Sequence, residues 1–418
     1  MNPKLLSLRS LLTSVGCIQL ATAAMGTLVA LQIANSGGSS ADASLVAAAY
    51  SFGFLLGCFY IFGPLARIGH IRAFAAAAAL CTLCTLLLSA TESTLVLLPA
   101  RFVTGLATAG LYAIGDAWIN DTSDSATRGR TLSVYYVVLG VTSVLGQAFV
   151  VLFSGDIDDA YVAMAALYSL ATVVLAMTRT APPEKAGKTT LRFKEAFSES
   201  PTAFTGTFIN GFVIALLIYV LPFQASVAGI PSDIVAYVVG AFYLGRILLQ
   251  FPLGRLSDKT DRRITITLAS TASALFLFML AHILQYDRFA VMGEAGPVLQ
   301  AMVFAGAVLL GGFIMPLYAL NVAHALDRTV PIFVGATAVT HLFVYTLGSV
   351  IGPLVGGTAA ATFGDPAILW LAFALMIAFS VFAGFRSRHR ERVPAAEAAT
   401  RVTAAGTSVS MVPDAKRE

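Results

Sequence analysis

The sequence predicts an all-α membrane protein of twelve transmembrane helices, and three observations carry the prediction. Charged residues make up only 11% of the 418-residue chain, and its mean hydropathy is +0.82. A soluble fold of this length has too little interior to hide so much apolar surface. Apolar runs of about 20 residues, the length that crosses a hydrocarbon core ~30 Å thick, recur along the chain without the alternation of a barrel strand. All but three of the 26 Lys and Arg fall in the tails or in loops on one side. That asymmetry predicts a multi-pass membrane protein with both termini on the cytoplasmic face. The net charge of +4 therefore reports topology, and the expected partner is the lipid bilayer, with no nucleic acid.

The first six runs fall at 10–33, 43–65, 72–91, 94–118, 129–153 and 160–178. Run 1 mimics a signal peptide, with Lys4, Arg9 and Ala21-Thr22-Ala23-Ala24. Its apolar stretch is too long for a typical signal core and more spans follow, so it reads as an uncleaved first helix. Cys17, Cys58, Cys81 and Cys84 all lie within runs 1–3. Cys81 and Cys84 have metal-like spacing, but no second pair completes a site, and helix packing is the expected role. Run 4 carries Arg101, about seven residues or 10 Å below the outer surface. A cation at that depth marks function unless it serves as an interhelical strut. Asp116 closes the same run, and Asp156, Asp158 and Asp159 make the loop after run 5 acidic.

Residues 179–201 form the longest inside loop. Paired prolines, mixed charge and Leu191-Arg-Phe-Lys-Glu-Ala-Phe predict a cytoplasmic linker that ends in a short interfacial helix. Two six-helix bundles are expected on either side, over 1–178 and 202–386, with a disordered tail at 387–418. The second six runs fall at 202–224, 233–254, 264–284, 297–320, 331–356 and 366–386. Arg246 and Gln250 stand one turn apart on run 8 and so share a face. His341 is mid-helix in run 11, at a depth where an imidazole can couple proton movement, although a lone His on an apolar helix more often packs. Gly348-Ser-Val-Ile-Gly352-Pro353-Leu-Val-Gly356-Gly357 in the same run reads as hinge and close packing.

The halves look like a worn repeat. Gly63-Pro-Leu65-Ala-Arg67-Ile-Gly-His-Ile-Arg72 follows run 2, and Gly254-Arg-Leu256-Ser-Asp258-Lys-Thr-Asp-Arg262-Arg263 follows run 8. Gly105, Gly110 and Asn120 in run 4 align without gaps to Gly306, Gly311 and Asn321 in run 10, which sets Arg101 opposite Met302.

These residues resemble the major facilitator superfamily, whose loop motif G-x-L-x-D-x-x-G-R-R is carried well by Gly254 to Arg263. The copy from Gly63 to Arg72 departs from it, with Arg67 in place of the acid. Arg101-Phe-Val-Thr-Gly, Gly245-Arg246-Ile-Leu-Leu-Gln250-Phe-Pro and Pro316-Leu-Tyr-Ala-Leu-Asn-Val-Ala-His324 are similar to the YcaD-like branch of bacterial inner-membrane proteins. That branch usually ends helix 4 with Glu-Ser-Trp-Leu-Asn, whereas this chain reads Asp116-Ala-Trp118-Ile-Asn120. The resemblance implies two bundles rocking about a central cavity, hence a secondary transporter of a small organic solute working by alternating access and driven by an ion gradient, with protons as the candidate ion. A monomer without cofactor is expected.

Candidate substrate or coupling residues are Arg101, Tyr112, Arg246, Gln250 and His341. Candidate gate residues are Gly63, Arg67, Arg72, Asp116, Gly254, Asp258, Arg262 and Arg263. Among them Asp116 is expected to latch onto Arg67 or Arg72, and Asp258 onto Arg262, Arg263 or a helix end. Of the aromatics at Tyr112, Trp118, Tyr135, Tyr136, Phe208, Phe212, Tyr219, Tyr243, Tyr318 and Tyr345, several could line a cavity for a ring-bearing solute, while lipid contact and interfacial anchoring account for most such residues. No nucleotide-binding loop, paired intramembrane carboxylates or metal cluster appears in the sequence, so neither an enzyme nor a primary pump is indicated. A non-transporting sensor or assembly subunit on the same fold is the rival reading. Import and export stay open.

Overall fold

In the computed structural model, residues 3–60, 69–122, 128–177, 191–285, 297–364 and 366–389 are described. Twelve helices are long and apolar enough to span a bilayer. In the N-terminal half these are α1 (Pro3–Asn35), α2 (Ser40–Tyr60), α3 (His70–Ser89), α4 (Thr94–Thr122), α5 (Arg128–Leu152) and α6 (Ile157–Ala176). In the other half they are α7 (Pro201–Val227), α8 (Ser232–Lys259), α9 (Arg262–Gln285), α10, α11 (Val334–Phe363) and α12 (Ala367–His389). A short helix, Phe193–Glu199, precedes α7. Within the linker, 179–190 lie outside the described residues, as does the tail beyond 389.

Two helices are irregular at mid-depth. α7 runs as Pro201–Ala215, passes through a π-helical turn at Leu216–Val220, and continues as Leu221–Val227. α10 is interrupted between Pro297–Ile314 and Leu317–Leu326, where Pro316 has no N–H to continue the ladder. Helix ends follow local chemistry. Asp156 caps α6 by accepting from the backbone N–H groups of Asp158 (3.0 Å) and Asp159 (3.2 Å). The acidic outer loop is thus, in part, a helix N-cap.

Packing obeys a pseudo-two-fold. Within the first half α1 packs on α5 and α6, α2 on α4, and α3 on α6; α7 on α11 and α12, α8 on α10, and α9 on α12 repeat those pairings. Glycines make the close approaches. A Cβ at Gly105 would collide with the Tyr50 carbonyl of α2, and one at Gly311 with the Phe242 backbone of α8. In lipid, where apolar burial cannot drive helices together, such small-residue contacts provide van der Waals packing. Between the halves α2 meets α11 and α5 meets α8, and α1 meets the outer part of α7. The two-fold exchanges the first two pairs and maps the third onto itself. At the face away from the termini, Gln224 Nε2 donates to Ser40 Oγ at 2.8 Å, and Gly357 lies against Ser44. α4 and α10 pack chiefly inside their own halves.

Candidate functional site

A cavity of about 310 Å³ lies where the halves meet. Its walls come from α1, α2 and α4 on one side and α7, α8, α10 and α11 on the other. Six tyrosines line it (Tyr50, Tyr112, Tyr219, Tyr243, Tyr318 and Tyr345), together with Gln19, Thr22, Ser51, Thr346 and Ser349. Among the described residues, Arg246 is its cation and no carboxylate lines it. Tyr50 and Tyr219 approach from opposite halves, with ring centroids 5.8 Å apart. Tyr318 and Tyr345 meet edge-on at 4.9 Å. Aromatic faces and edges arranged this way suit a flat ring. The π-turn in α7 includes Ile218 and Tyr219, both on the cavity wall.

The polar wall groups are held in place. Gln19 Nε2 donates to Ser143 Oγ (2.8 Å) and Gln19 Oε1 accepts from Tyr112 Oη. Both ends of the amide are therefore used, and Tyr112 is fixed against α1. Arg246 Nε donates to Gln250 Oε1 at 3.2 Å, an i, i+4 contact along α8 that orients the guanidinium fork. None of the ion pairs among the described residues involves Arg246. A half-buried cation without a counterion is a ready site for an anion.

Of the five expected substrate or coupling residues, the structure brings Arg246 and Tyr112 into the cavity, and Gln250 supports Arg246 from behind. Arg101 sits one layer back. It is 2% exposed, with its guanidinium 4.3 Å from the Tyr50 ring centroid. Such a cation–π contact is worth about 2 kcal/mol when desolvated, and through Tyr50 the charge abuts the cavity wall. His341 is fully buried and is not on the wall, although Leu342 and Tyr345 beside it are. Thr207 Oγ1 donates to the Ala203 carbonyl at 2.6 Å. Its single hydrogen being used, Thr207 accepts from His341 Nδ1 at 3.0 Å. His341 Nε2 is then a bare acceptor, buried and unpartnered.

At the terminus face, Gly63 and Arg67 lie outside the described residues, and Arg72 is exposed in the first turn of α3. Asp116 accepts from Tyr135 Oη at 2.7 Å. Around the second loop motif, Arg262 joins Asp258 (2.9 Å) to Asp327 at the end of α10 (2.5 Å). Arg263 pairs with Asp261 at 2.6 Å and donates to the Arg386 carbonyl at 3.1 Å. Asp258 thus finds Arg262, one of its expected partners, while Asp327 completes the bridge. Burial pushes the Asp261 carboxyl up, but the hydrogen bonds from Arg263 outweigh it and leave it below the ordinary 3.8. Gly254 is open, with nothing near a would-be Cβ.

Gln19, Thr22 and Tyr50 were missed in the sequence. Gln19 left a readable sign, an amide midway along the first span, whereas Tyr50 looked like any interfacial aromatic. Among the described residues, no cluster of His, Cys, Asp and Glu could hold a metal. Cys81 Sγ lies 3.8 Å from Thr108 Oγ1 in a helix contact.

Comparison with known proteins gives the same architecture. A family model described as Major Facilitator Superfamily matches residues 11–222 and again 203–413. YcaD of Escherichia coli, described as an MFS-type transporter, is 24% identical over 358 residues, covering 85% of this chain and 89% of that protein. YfkF of Bacillus subtilis, of the same description, is 27% identical over 270 residues, 63% of this chain. That second alignment spans 65% of YfkF, just under two thirds of its length. Among solved structures, the nucleoside transporter NupG superposes with a TM-score of 0.73 at 11% identity, covering 92% of this chain and 98% of NupG. A bacterial homologue of the lysosomal transporter Spinster, in an inward-facing and occupied conformation, gives 0.64 at 15% identity, with 96% of each chain covered. At such identities the likeness is one of fold.

Proposed function

The chain belongs to the major facilitator superfamily, and from that premise we propose that this secondary transporter carries a small, ring-bearing organic anion. The observation that carries the reading is the cavity between the halves, walled by six tyrosines and one arginine and without a carboxylate. Its volume of about 310 Å³ is at the low end of small-molecule sites, so the solute is a single- or fused-ring metabolite. The tyrosine rings stack and edge-contact its plane, while Arg246, oriented by Gln250, pairs with its carboxylate or phosphate through the planar fork.

Alternating access follows from the wall's divided origin. A solute bridging both halves is released when the halves part on one face and close on the other. The contacts at Ser40, Ser44, Gln224 and Gly357 hold the face away from the termini together. In this proposal that face is periplasmic and the termini are cytoplasmic. Proton coupling falls to Asp116, His341 or the solute itself. The chain acts as a monomer, since both walls come from one polypeptide.

A thermal-shift screen of the purified protein tests the substrate class, since a ligand that binds the folded state alone raises Tm. Aromatic carboxylates and ring-bearing phosphates are expected to give dose-dependent shifts that Arg246→Gln removes, followed by flux into proteoliposomes. Shifts confined to ring-bearing cations or acyclic solutes would overturn the reading. Binding without flux would favour a sensor.

A further inference from the structure

Away from the cavity, the terminus-side end of the second half holds a small polar pocket. It forms where the start of α7 meets the start of α9 and the ends of α10 and α12. Arg263, Arg328 and Arg386 line it, beside Ser200 and Thr202 at the N-terminus of α7. Arg263 is 3% exposed and is held by Asp261, so it acts as a fixed post, and its bond to the Arg386 carbonyl ties α12 to α9. Arg328 and Arg386 are half-buried at the rim. Glu199, also on the wall, is engaged by Arg192 at 3.7 Å and by Thr329 Oγ1 at 3.3 Å.

Two independent features point to an anion in this pocket. The N-terminus of α7 carries the positive end of the helix dipole without a side-chain cap from Ser200, and behind Pro201, which has no N–H, Thr202 sits on the pocket wall. The Ser200 hydroxyl is on the pocket wall, buried, and without a hydrogen-bond partner. A buried hydroxyl left unpaired costs on the order of 1–3 kcal/mol, and a ligand oxygen would satisfy it. The surroundings say where the anion comes from. Phe385 beside Arg386 is exposed, and on the short helix that leads into Glu199 and Ser200 Phe193 and Phe197 keep exposed faces while packing edge-on against Phe343 and Phe204, so apolar rings accompany the basic rim.

We propose that this pocket binds the phosphate of an anionic lipid headgroup, with Arg328 and Arg386 pairing with it, Ser200 and the α7 N-terminus hydrogen-bonding to it, and the phenylalanines seated among the acyl chains. A basic cleft between spanning helices is where such headgroups bind. The lipid would brace α7, α9, α10 and α12 as one unit.

Native mass spectrometry of the full chain in detergent, titrated with phosphatidylglycerol or phosphatidylcholine, tests this. Phosphatidylglycerol is expected to bind more tightly, and Arg328→Gln with Arg386→Gln to weaken it by roughly fivefold per arginine. Equal retention of both lipids, or a double variant that binds as the parent does, overturns the proposal. Should that variant fail to fold, Ser200→Ala, which removes one hydroxyl and no charge, carries the test; it should still lower phosphatidylglycerol affinity by about threefold, and unchanged affinity overturns the proposal. Millimolar inorganic phosphate that displaces the lipid and raises Tm by itself would overturn the lipid source in favour of free phosphate.

Discussion

At the scale of residues, three side chains carry separable predictions. Arg246→Lys keeps the charge but loses the planar fork and the bond to Gln250, so it should weaken binding of an anionic ligand about tenfold, while Arg246→Gln should abolish it; isothermal titration distinguishes them. Arg101 reaches the cavity wall through its contact with Tyr50; if that contact serves transport, Arg101→Lys keeps the fold yet reduces flux, and full flux in both Arg101→Lys and Arg101→Ala would sink that role. Asp261 has its carboxyl lowered by Arg263, so its stabilisation is present above about pH 4 and fades as pH falls through the lowered value. Thermal stability should fall as the pH is lowered below about 4 in the parent, and less in Asp261→Asn. Arg246 and Tyr112, which lie on the cavity wall, and Arg101, which lies behind it, stood out as candidates because polar or charged groups inside apolar runs cost several kcal/mol unless they are satisfied. The rest of the cavity was not legible, since a tyrosine facing a cavity and one facing headgroups have the same spacing in sequence. The ladder from Thr207 to His341 was hidden for another reason, as its members lie 134 residues apart.

Among elements, the glycine contacts set what can be changed. Gly245 sits against the Val308 carbonyl of α10, as Gly105 sits against the Tyr50 carbonyl of α2. Gly245→Val and Gly105→Val should each cost several kcal/mol and several degrees of Tm, read by thermal unfolding in detergent. Gly254→Ala, with open space around it, should be nearly neutral. Helix count and order were readable because each span needs the same apolar length. The gapless alignment of the repeat was less reliable at single positions. It set Gly105 opposite Gly306, but Gly306 faces the Met279 side chain of α9, and the backbone contact that corresponds falls to Gly311. Breaks also escaped the apolar pattern, which continues through the π-turn of α7 and through Pro316. The π-turn carries one residue more than a regular helix would need, so a one-residue deletion within 216–220 should fold while moving Tyr219 off the cavity wall.

For the whole molecule, the two-fold exchange makes the α2–α11 and α5–α8 seams equivalent, so the tilt that the proposed alternating access requires would load both alike. Topology is the first thing to check: reporters fused after residues 35 and 228 are expected to be extracytoplasmic, and those after residues 190 and 389 cytoplasmic. At the terminus face, the Asp258–Arg262–Asp327 bridge stays inside the second half. Its rupture in Arg262→Gln should loosen α8 from α10 and shift cysteine accessibility near Asp327, with little change at the far face. The twelve spans were visible in the sequence, whereas the seams between α2 and α11 and between α5 and α8 were not, because they join side chains with no shared pattern. Under the proposed alternating access, a cavity whose wall is divided between the two halves has one more consequence. Any molecule gripping both walls acts as a crossbar, and the better it fits, the longer the halves stay pinned. Turnover therefore favours cargo that binds loosely enough to leave, and the tightest hits against Arg246 and its ring of tyrosines should be inhibitors that stall the cycle.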